Sequence, residues 1–343
     1  MDLQTFIRKM PKVELHVHLE GSTQPETLLA LTKKYNIPIP ADDLPGVRRW
    51  FTFSDFDHFI SIYLTFSACL RTPEDIEWIA RQFLAGQAEQ NILYTEFTYT
   101  AFAQYFASNI SFEDQLAALN RARQWAQTDL GVQSNIIIDI PRVISAADGD
   151  LVARWAVSGM GRGVVALGLG GPEVGYPAED FTSAFKIAAD AGLPSVPHAG
   201  ETVGPESIWG ALNSLNAVRI GHGVRCLEDP ALVAELREKQ IPLEVCPTSN
   251  VCLKVVQDMA SHPLPKLMSE GLYITINSDD PPMFNTSLTN EYLQIAKVFG
   301  FGREDLKNFV MNAVNASLLN AEEKQQLKAK CLAGFQSLEN AVQ

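Results

Sequence analysis

Apolar residues recur along this chain in two rhythms. Short β-branched or otherwise apolar runs bounded by turn signals occur at Val13–His18, Ile92–Phe97, Asn135–Ile140, Val164–Leu169, Leu193–His198, Val218–His222, Pro242–Val245 and Tyr273–Asn277, and they read as strands. Between them lie longer stretches with apolar positions at helical spacing: Glu26–Tyr35, Pro73–Gln90, Glu113–Leu130, Asp148–Ser158, Pro177–Asp190, Pro205–Leu215, Pro230–Lys239 and His262–Glu270. A helical tail follows from about Ser287 to the C-terminus. Eight strands alternating with helices are what one closed parallel barrel requires, and doubly wound sheets usually show fewer. The pattern predicts an α/β fold, a (β/α)8 barrel read as one domain over residues 1–343, with a helical insertion after the first strand and extra C-terminal helices. The insertion, Gly21 to Asn91, holds the aromatic-rich FTFSDFDHFISIYLTF at residues 51–66. Its plain reading is a helix that contributes core aromatics. An insertion after a barrel strand also sits at the catalytic face, where a lid would be, and Phe56 and Phe59 are its candidate contacts to a ligand.

With 46% hydrophobic and 20% charged residues, and no low-complexity tract or run of like charge, the chain reads as globular and nothing marks a linker. Charge bears on partners. Lys and Arg total 27 against 40 Asp and Glu, a net −13, which argues against a surface built to neutralise phosphates. No nucleic acid and no membrane are expected as partners. No apolar run approaches the roughly 18 residues of a membrane span. The start, MDLQTFIRKMPKVELHVHLEG, carries charges where a signal peptide keeps an apolar region, so a cytoplasmic protein is expected. The five cysteines, Cys69, Cys226, Cys246, Cys252 and Cys331, lack zinc-ribbon or thioredoxin spacing and read as reduced thiols rather than ligands. Oligomeric state is not legible in the sequence.

Active sites of such barrels are built where the strands end. His16 and His18 close the first strand, His198 the fifth and His222 the sixth, and Asp279 and Asp280 follow the eighth. Period-2 alternation aims His16 and His18 to the same side. With His198 and Asp279 they make three imidazoles and one carboxylate, a zinc-type site with room left for water. The fourth strand, VVALGLGG, has no lysine or acid to bridge a second metal, so one Zn2+ per chain is expected. Adjacent on an extended backbone, Asp279 and Asp280 would point apart, one to the metal and one to the substrate. As a pair before Pro281 they also suit an N-cap and turn. Glu201, three residues after His198, lies near the metal without being obliged to bind it, or is a helix-end acid. His222, between Gly221 and Gly223, could be a fourth ligand or a base beside the metal's water, and spacing does not separate the two.

HVHLEG, HAGE, GHG and NSDDP, in that order, resemble the adenosine deaminase family, and the resemblance extends over essentially the whole chain. It implies a zinc-bearing (β/α)8 barrel that replaces the 6-amino group of an adenine ring by oxygen, with a small-molecule purine nucleoside as its partner. Residue by residue, it implies that His16, His18, His198 and Asp279 bind the zinc. Glu201 then protonates N1 of the ring, His222 is poised on the water at the metal, and Asp280 partners that water and the purine edge. The backbone amide of Gly171 meets ring nitrogen N3. The chemistry asks for a Glu201 that is protonated at neutral pH, through desolvation or a neighbouring carboxylate such as Asp280.

Two departures fall at the sugar end. Glu20 stands where many family members have Asp, at a position associated with the sugar hydroxyl, and Gly168 and Pro172 stand where the family carries an acid. A longer carboxylate at Glu20 and little side-chain volume at Gly168 and Gly171 lead to the expectation of a roomier 5′ pocket. Arg142, beyond the third strand, is the nearest cation for a substrate carboxylate, unless it serves a structural ion pair. The expected function is deamination of an adenosine-type nucleoside. The alternatives are 6-amino-6-deoxyfutalosine, a menaquinone-pathway nucleoside with a bulky carboxylated 5′ group, free adenine, and, from a different class, a non-catalytic binding relative.

Overall fold

The computed structural model describes residues 1–53 and 56–340, with Phe56 and Asp57 described through the backbone alone. The strands are β1 (Lys12–His18), β2 (Ile92–Tyr99), β3 (Gln133–Pro141), β4 (Val164–Gly170), β5 (Ser195–Ala199), β6 (Ile220–His222), β7 (Leu243–Val245) and β8 (Ile274–Ile276). They pair in parallel in chain order, the (β/α)8 arrangement that the alternation predicts. β5 starts after Pro194, later than the apolar run does, because proline has no amide to give to the ladder.

The backbone of the site residues themselves makes the seam between β8 and β1. Val17 bridges Asp279, the His18 amide donates to the Asp279 carbonyl at 2.9 Å, and the Asp279 amide donates to the His16 carbonyl at 3.1 Å. Just before, the side-chain oxygen of Asn277 accepts from the Leu15 and His16 amides at 2.9 and 3.1 Å. It stands in for a backbone carbonyl and leaves neither buried amide unpaired.

Each intervening helix that the periodicity predicts is present, several opened by capping residues. Thr72 and Asp75 form a capping box ahead of Pro73–Glu89, and Ser145 accepts the Asp148 amide ahead of Ala146–Ser158. Four short helices escape the reading: Leu3–Lys9, Leu44–Trp50, Ala101–Ser108 and Pro247–Cys252. Two turns hold too few apolar positions to define a period. The insertion carries Pro25–Tyr35, Leu44–Trp50, Phe56–Ser67 and Pro73–Glu89, and the tail forms Leu288–Phe299, Arg303–Ala316 and Ala321–Asn340.

Apolar side chains pack in two main clusters, one around Val17, Phe97, Ile138 and Leu169 and the other around Leu15, Ile220, Val245 and Ile276. The core also holds charge. Arg219, 1% exposed, donates to Glu96 and to Glu244, each at 2.6 Å, and Glu244 lies 2.8 Å from His16. Buried charges persist only when paired in this way. Among the described residues, no helix is long and apolar enough to cross a membrane.

Candidate metal centre and active site

At the C-terminal ends of the strands, ligand atoms of His16, His18, His198 and Asp279 lie within 4.8 Å of one another. Alternation along β1 puts His16 and His18 on one wall with ring centroids 5.5 Å apart. His198 arrives from β5 with its Nε2 3.1 Å from that of His18, and Asp279 Oδ1 is 3.5 Å from His16 Nε2 and 3.4 Å from His18 Nε2. Asp279 reaches them from a left-handed φ of +65°, not from the extended backbone that its sequence context predicts. That conformation is costly for a residue with a Cβ, and the seam bonds hold it. The two acids still part. Asp280 turns toward Gly21, where a Cβ would lie 1.5 Å from Asp280 Oδ1, so only glycine there leaves Asp280 in place.

The proton accounting of this cluster asks for a cation. His16 Nδ1 faces Glu244 at 2.8 Å and His198 Nδ1 faces the Leu169 carbonyl at 2.9 Å. Both partners accept, so the hydrogen sits on Nδ1 and Nε2 turns a lone pair to the cluster. His16 Nε2 is buried without a hydrogen-bond partner. The local field favours positive charge at that lone pair, from a proton or a metal ion: burial works against a charged His16, yet Asp279 and Glu244 carry it up to about 10. Burial pushes His18 down to about 4 and His198 well below its ordinary value. Three imidazole nitrogens and a carboxylate oxygen around a point that favours positive charge suit a divalent ion of the zinc type. A second group, His222, Cys246 and Asp279, shares Asp279 with the first. Burial holds the Cys246 thiol well above its ordinary value, and a thiol must lose its proton to ligate.

Glu201 is buried beside this cluster. Burial pushes it well above the usual carboxylate range, and Asp279 and Glu173 add to the effect. The carboxylates that add to the burial are Asp279 and Glu173, where the sequence suggested Asp280. Glu173 also holds the Glu201 loop, accepting from the Val203 amide at 2.6 Å and the Thr202 amide at 3.1 Å. Burial and Asp279 push Asp280 up as well. His222, at a left-handed φ of +61°, sets Nε2 3.7 Å from Glu201 Oε1 and 3.9 Å from Asp279 Oδ2. A Cβ at Gly221 would come within 2.8 Å of the His16 ring, which accounts for one of the two glycines beside His222.

A cavity of about 540 Å3 opens above the cluster. His18, His198, Glu201, His222, Asp279 and Asp280 line its floor, with Gly171 (φ +92°) and Asp139 beside them. Phe59 forms part of the wall, stacked on Phe284 and edge-on to Phe53, each at 5.4 Å between centroids. The side chain of Phe56 lies outside the described residues. Glu20 is 1% exposed. Its Oε1 accepts the Thr100 amide at 3.0 Å and its Oε2 has no partner. Burial, then Asp139, pushes it up to about 8.

The structure bears on two expectations here. Gly168 does not widen the pocket: a Cβ there would meet Asp139 Cβ and Ile137 Cγ2, each at 3.1 Å, so its missing side chain makes room for those two. Arg142 lines the cavity and gives two of its nitrogens to backbone carbonyls. It is 1% exposed, and it donates to the Tyr176 carbonyl at 2.6 Å and the His198 carbonyl at 2.7 Å, tying the segment after β4 to the end of β5.

Sequence reasoning missed Asp139, Glu173, Glu244 and the pair Asn250 and His262. Asp139 and Glu244 had a signal, an acid inside an otherwise apolar strand run (IIIDI and PLEV), where burial is certain and a partner is required. Asn250 and Glu173 sit in loops and short helices, where polar residues are ordinary.

A family model described as Adenosine deaminase matches residues 11–333. The chain is 40% identical over 331 residues to an aminodeoxyfutalosine deaminase of Streptomyces avermitilis, covering 96% of this chain and 92% of that protein. It is 34% identical over 325 residues to an adenine deaminase of Chlorobium phaeobacteroides, covering 94% and 96%. Among solved structures, the adenine deaminase from Arthrobacter aurescens matches with a TM-score of 0.90 at 31% identity, over 96% of this chain and 99% of that one. An amidohydrolase from Burkholderia ambifaria with bound Zn matches with a TM-score of 0.90 at 26% identity, over 98% and 94%. The ordered motifs, the histidine–aspartate cluster they build and a match over nearly the whole length agree, and this chain belongs to the adenosine deaminase family of hydrolytic deaminases.

Proposed function

We propose that this protein removes the 6-amino group of an adenine nucleoside whose 5′ position carries a bulky aryl or other apolar group, a substrate of the aminodeoxyfutalosine type. The observation that carries this reading is the two-part cavity. Below the polar floor's rim stands the metal cluster, and above it rises an apolar wall that includes Phe59, Tyr63, Leu64, Phe102, Phe106 and Val143. A bare purine would occupy the floor and leave the wall in water, where Leu64, Phe106 and Val143 are 57%, 81% and 56% exposed. An aryl extension covers it, at about 25 cal/mol for each Å2 of apolar surface removed from water. The higher identity to the aminodeoxyfutalosine deaminase than to the adenine deaminase supports the same reading. Arg142 is the one Arg or Lys among the described lining residues, so a carboxylate on the extension would sit at the open mouth.

When bound by His16, His18, His198 and Asp279, a divalent ion supplies a Lewis acid for the water that attacks C6. The chain's own side chains do the rest. Asp280 in its ionised form, with the proton affinity that burial and Asp279 raise, takes one proton from the water as the water's oxygen bonds to C6. Glu201, held protonated, gives its proton to N1, which receives the electron pair displaced from the C6–N1 double bond. The tetrahedral carbon then expels its amino group, which leaves as ammonia with the proton from Asp280. As the C6 carbonyl forms, the hydroxyl proton returns to Glu201, so one water enters and one ammonia leaves. Asp139, which lines the cavity and whose Oδ1 has no partner, accepts from a sugar hydroxyl, and Glu20 stands near enough to Asp139 to feel its charge.

Steady-state kinetics on adenine, adenosine, a 5′-deoxy-5′-thioether nucleoside and aminodeoxyfutalosine test the substrate. The aryl-extended nucleoside should have the highest kcat/KM. Adenosine preferred over every 5′-extended analogue would overturn this reading, and adenine preferred over all would move the protein to the base deaminases.

A further inference from the structure

Two buried polar side chains that this chemistry does not use, Asn250 and His262, 0% and 3% exposed, lie in line behind His222. The line has a direction, and a backbone amide sets it. The Leu264 N–H donates to His262 Nδ1 at 3.1 Å. A peptide N–H can only donate, so Nδ1 holds a lone pair and the neutral ring carries its hydrogen on Nε2. That Nε2 lies 3.1 Å from Asn250 Oδ1, which therefore accepts. The amide nitrogen of Asn250 is then turned to His222 Nδ1 at 3.4 Å, and since it too can only donate, Nδ1 of His222 accepts. The hydrogen of His222 is left on Nε2, the nitrogen that faces Glu201 and Asp279.

The metal-facing histidines are set the opposite way. For His16 and His198 the group on Nδ1 is an acceptor, the Glu244 carboxylate and the Leu169 carbonyl, which leaves a lone pair on Nε2 for an ion. For His222 the group on Nδ1 is a donor. The fold sorts ligand from non-ligand imidazoles by what it places on the far nitrogen of each ring.

We infer that Leu264, His262 and Asn250 form a relay that fixes His222 as an Nε2–H donor aimed at the reaction site, so that His222 is neither a metal ligand nor a base but holds the attacking oxygen by donating to it. A fourth ligand or a base would each need a lone pair on Nε2, and the relay removes it. Asn250 and His262 are positioning residues. They touch no reacting atom and act through the His222 ring.

The relay is testable because its direction can be reversed without changing its size. In Asn250→Asp a carboxylate faces His222 Nδ1, draws the hydrogen to that side and bares Nε2. In His262→Glu a carboxylate faces Asn250, which turns its amide away from His222 and its oxygen toward it, with the same result. His262→Gln keeps a donor toward Asn250 and keeps the direction. The first readout is 15N NMR of ring-labelled histidine in the metal-free and metal-loaded protein, with His222 assigned by its loss in His222→Gln. The wild type should show hydrogen on Nε2 and a bare Nδ1, and Asn250→Asp and His262→Glu should show the reverse.

The second readout is kinetic. The two reversing variants should lose about 10²–10³ in kcat, the usual effect of removing one preorganised donor, with KM and metal content little changed, and His262→Gln should keep most of the rate. Hydrogen on Nδ1 of wild-type His222, or a His262→Glu variant with wild-type kcat, would overturn the inference. If a reversing variant does not fold, the wild-type spectrum still decides. The kinetic arm rests on the deamination proposed above and the spectrum does not, so the two can fail separately.

Discussion

Glu244 accepts the Nδ1 hydrogen of His16 at 2.8 Å, and that contact decides which nitrogen of His16 faces the metal cluster. The other oxygen of Glu244 accepts from Arg219 at 2.6 Å, so both carboxylate oxygens meet donors. Burial alone would raise Glu244; Arg219 and His16 outweigh it and keep it below its ordinary value. Metal-binding histidines act reliably only when the far nitrogen is held in this way.

Glu244→Gln must therefore turn an NH2 group toward either His16 or Arg219. The expected outcome is a divalent-metal affinity about 10–100-fold weaker, measured by chelator competition. The unmodified protein should bind one equivalent of metal by elemental analysis and lose its deaminase activity on exhaustive chelation. Two tightly bound ions, or full activity after chelation, would contradict the four-residue centre.

Glu201→Gln has no proton to give to N1. It should lose about 10²–10⁴ in kcat while keeping its metal. Because the Glu201 pKa is raised, the proton persists to higher pH than on an ordinary carboxyl and is lost as pH climbs through the raised value. Wild-type kcat should therefore fall on the alkaline side, and that limb should be missing in Glu201→Gln.

Asp139→Ala removes an acceptor beside the sugar. The kcat/KM for nucleosides should fall about 10–100-fold, the worth of one strong hydrogen bond, while turnover of free adenine is little altered. An equal fall for adenine would show that Asp139 acts on the cluster and not on the sugar.

Arg142→Gln leaves the Tyr176 and His198 carbonyls short of their donors. It should cost about 1–3 kcal/mol of stability in urea denaturation. The ratio of kcat/KM between carboxylated and uncarboxylated 5′-extended nucleosides should not move. A selective loss of the carboxylated substrate would restore Arg142 as the cation that reads it.

Glu291 is buried among Thr248 and Thr286; burial pushes it from 4.5 up to about 7, held back by hydrogen bonds from those threonines. Between those two values the unfolded chain has released the proton and the folded chain still holds it. Stability from this group is full below about 4.5, falls as pH rises to about 7, and is level above. Each unit of the difference is worth about 1.4 kcal/mol. Glu291→Gln should flatten the decline in Tm across that window, and an unchanged slope would show that Glu291 ionises normally.

The barrel, its insertion and its tail were legible because strand and helix periods are local. The same locality exposed the candidate ligands: β1 alternation alone puts His16 and His18 on one wall, and the resemblance carried by the ordered motifs implied the chemistry. Backbone conformation was less legible. Asp279 sits at a left-handed φ because the β8–β1 seam bonds through its own amide and carbonyl, and nothing in NSDDP records that β8 closes on β1.

What the sequence could not decide was pairing between distant residues. His16 meets Glu244 across 228 positions, Arg142 meets the His198 carbonyl across 56, and Asn250 meets His222 across 28. Side-chain type says what a residue can donate or accept, but the barrel's curvature says which partner stands within hydrogen-bond reach, and in a buried site that partner decides proton placement. Residue types and their spacing pointed to a metal site, and the resemblance of the ordered motifs to the adenosine deaminase family pointed to deamination. Only the packed structure showed that Arg142 bonds two backbone carbonyls, that Gly168 makes room for Asp139, and which group stands behind each histidine, because a lone pair is directional and its direction comes from the neighbour behind it.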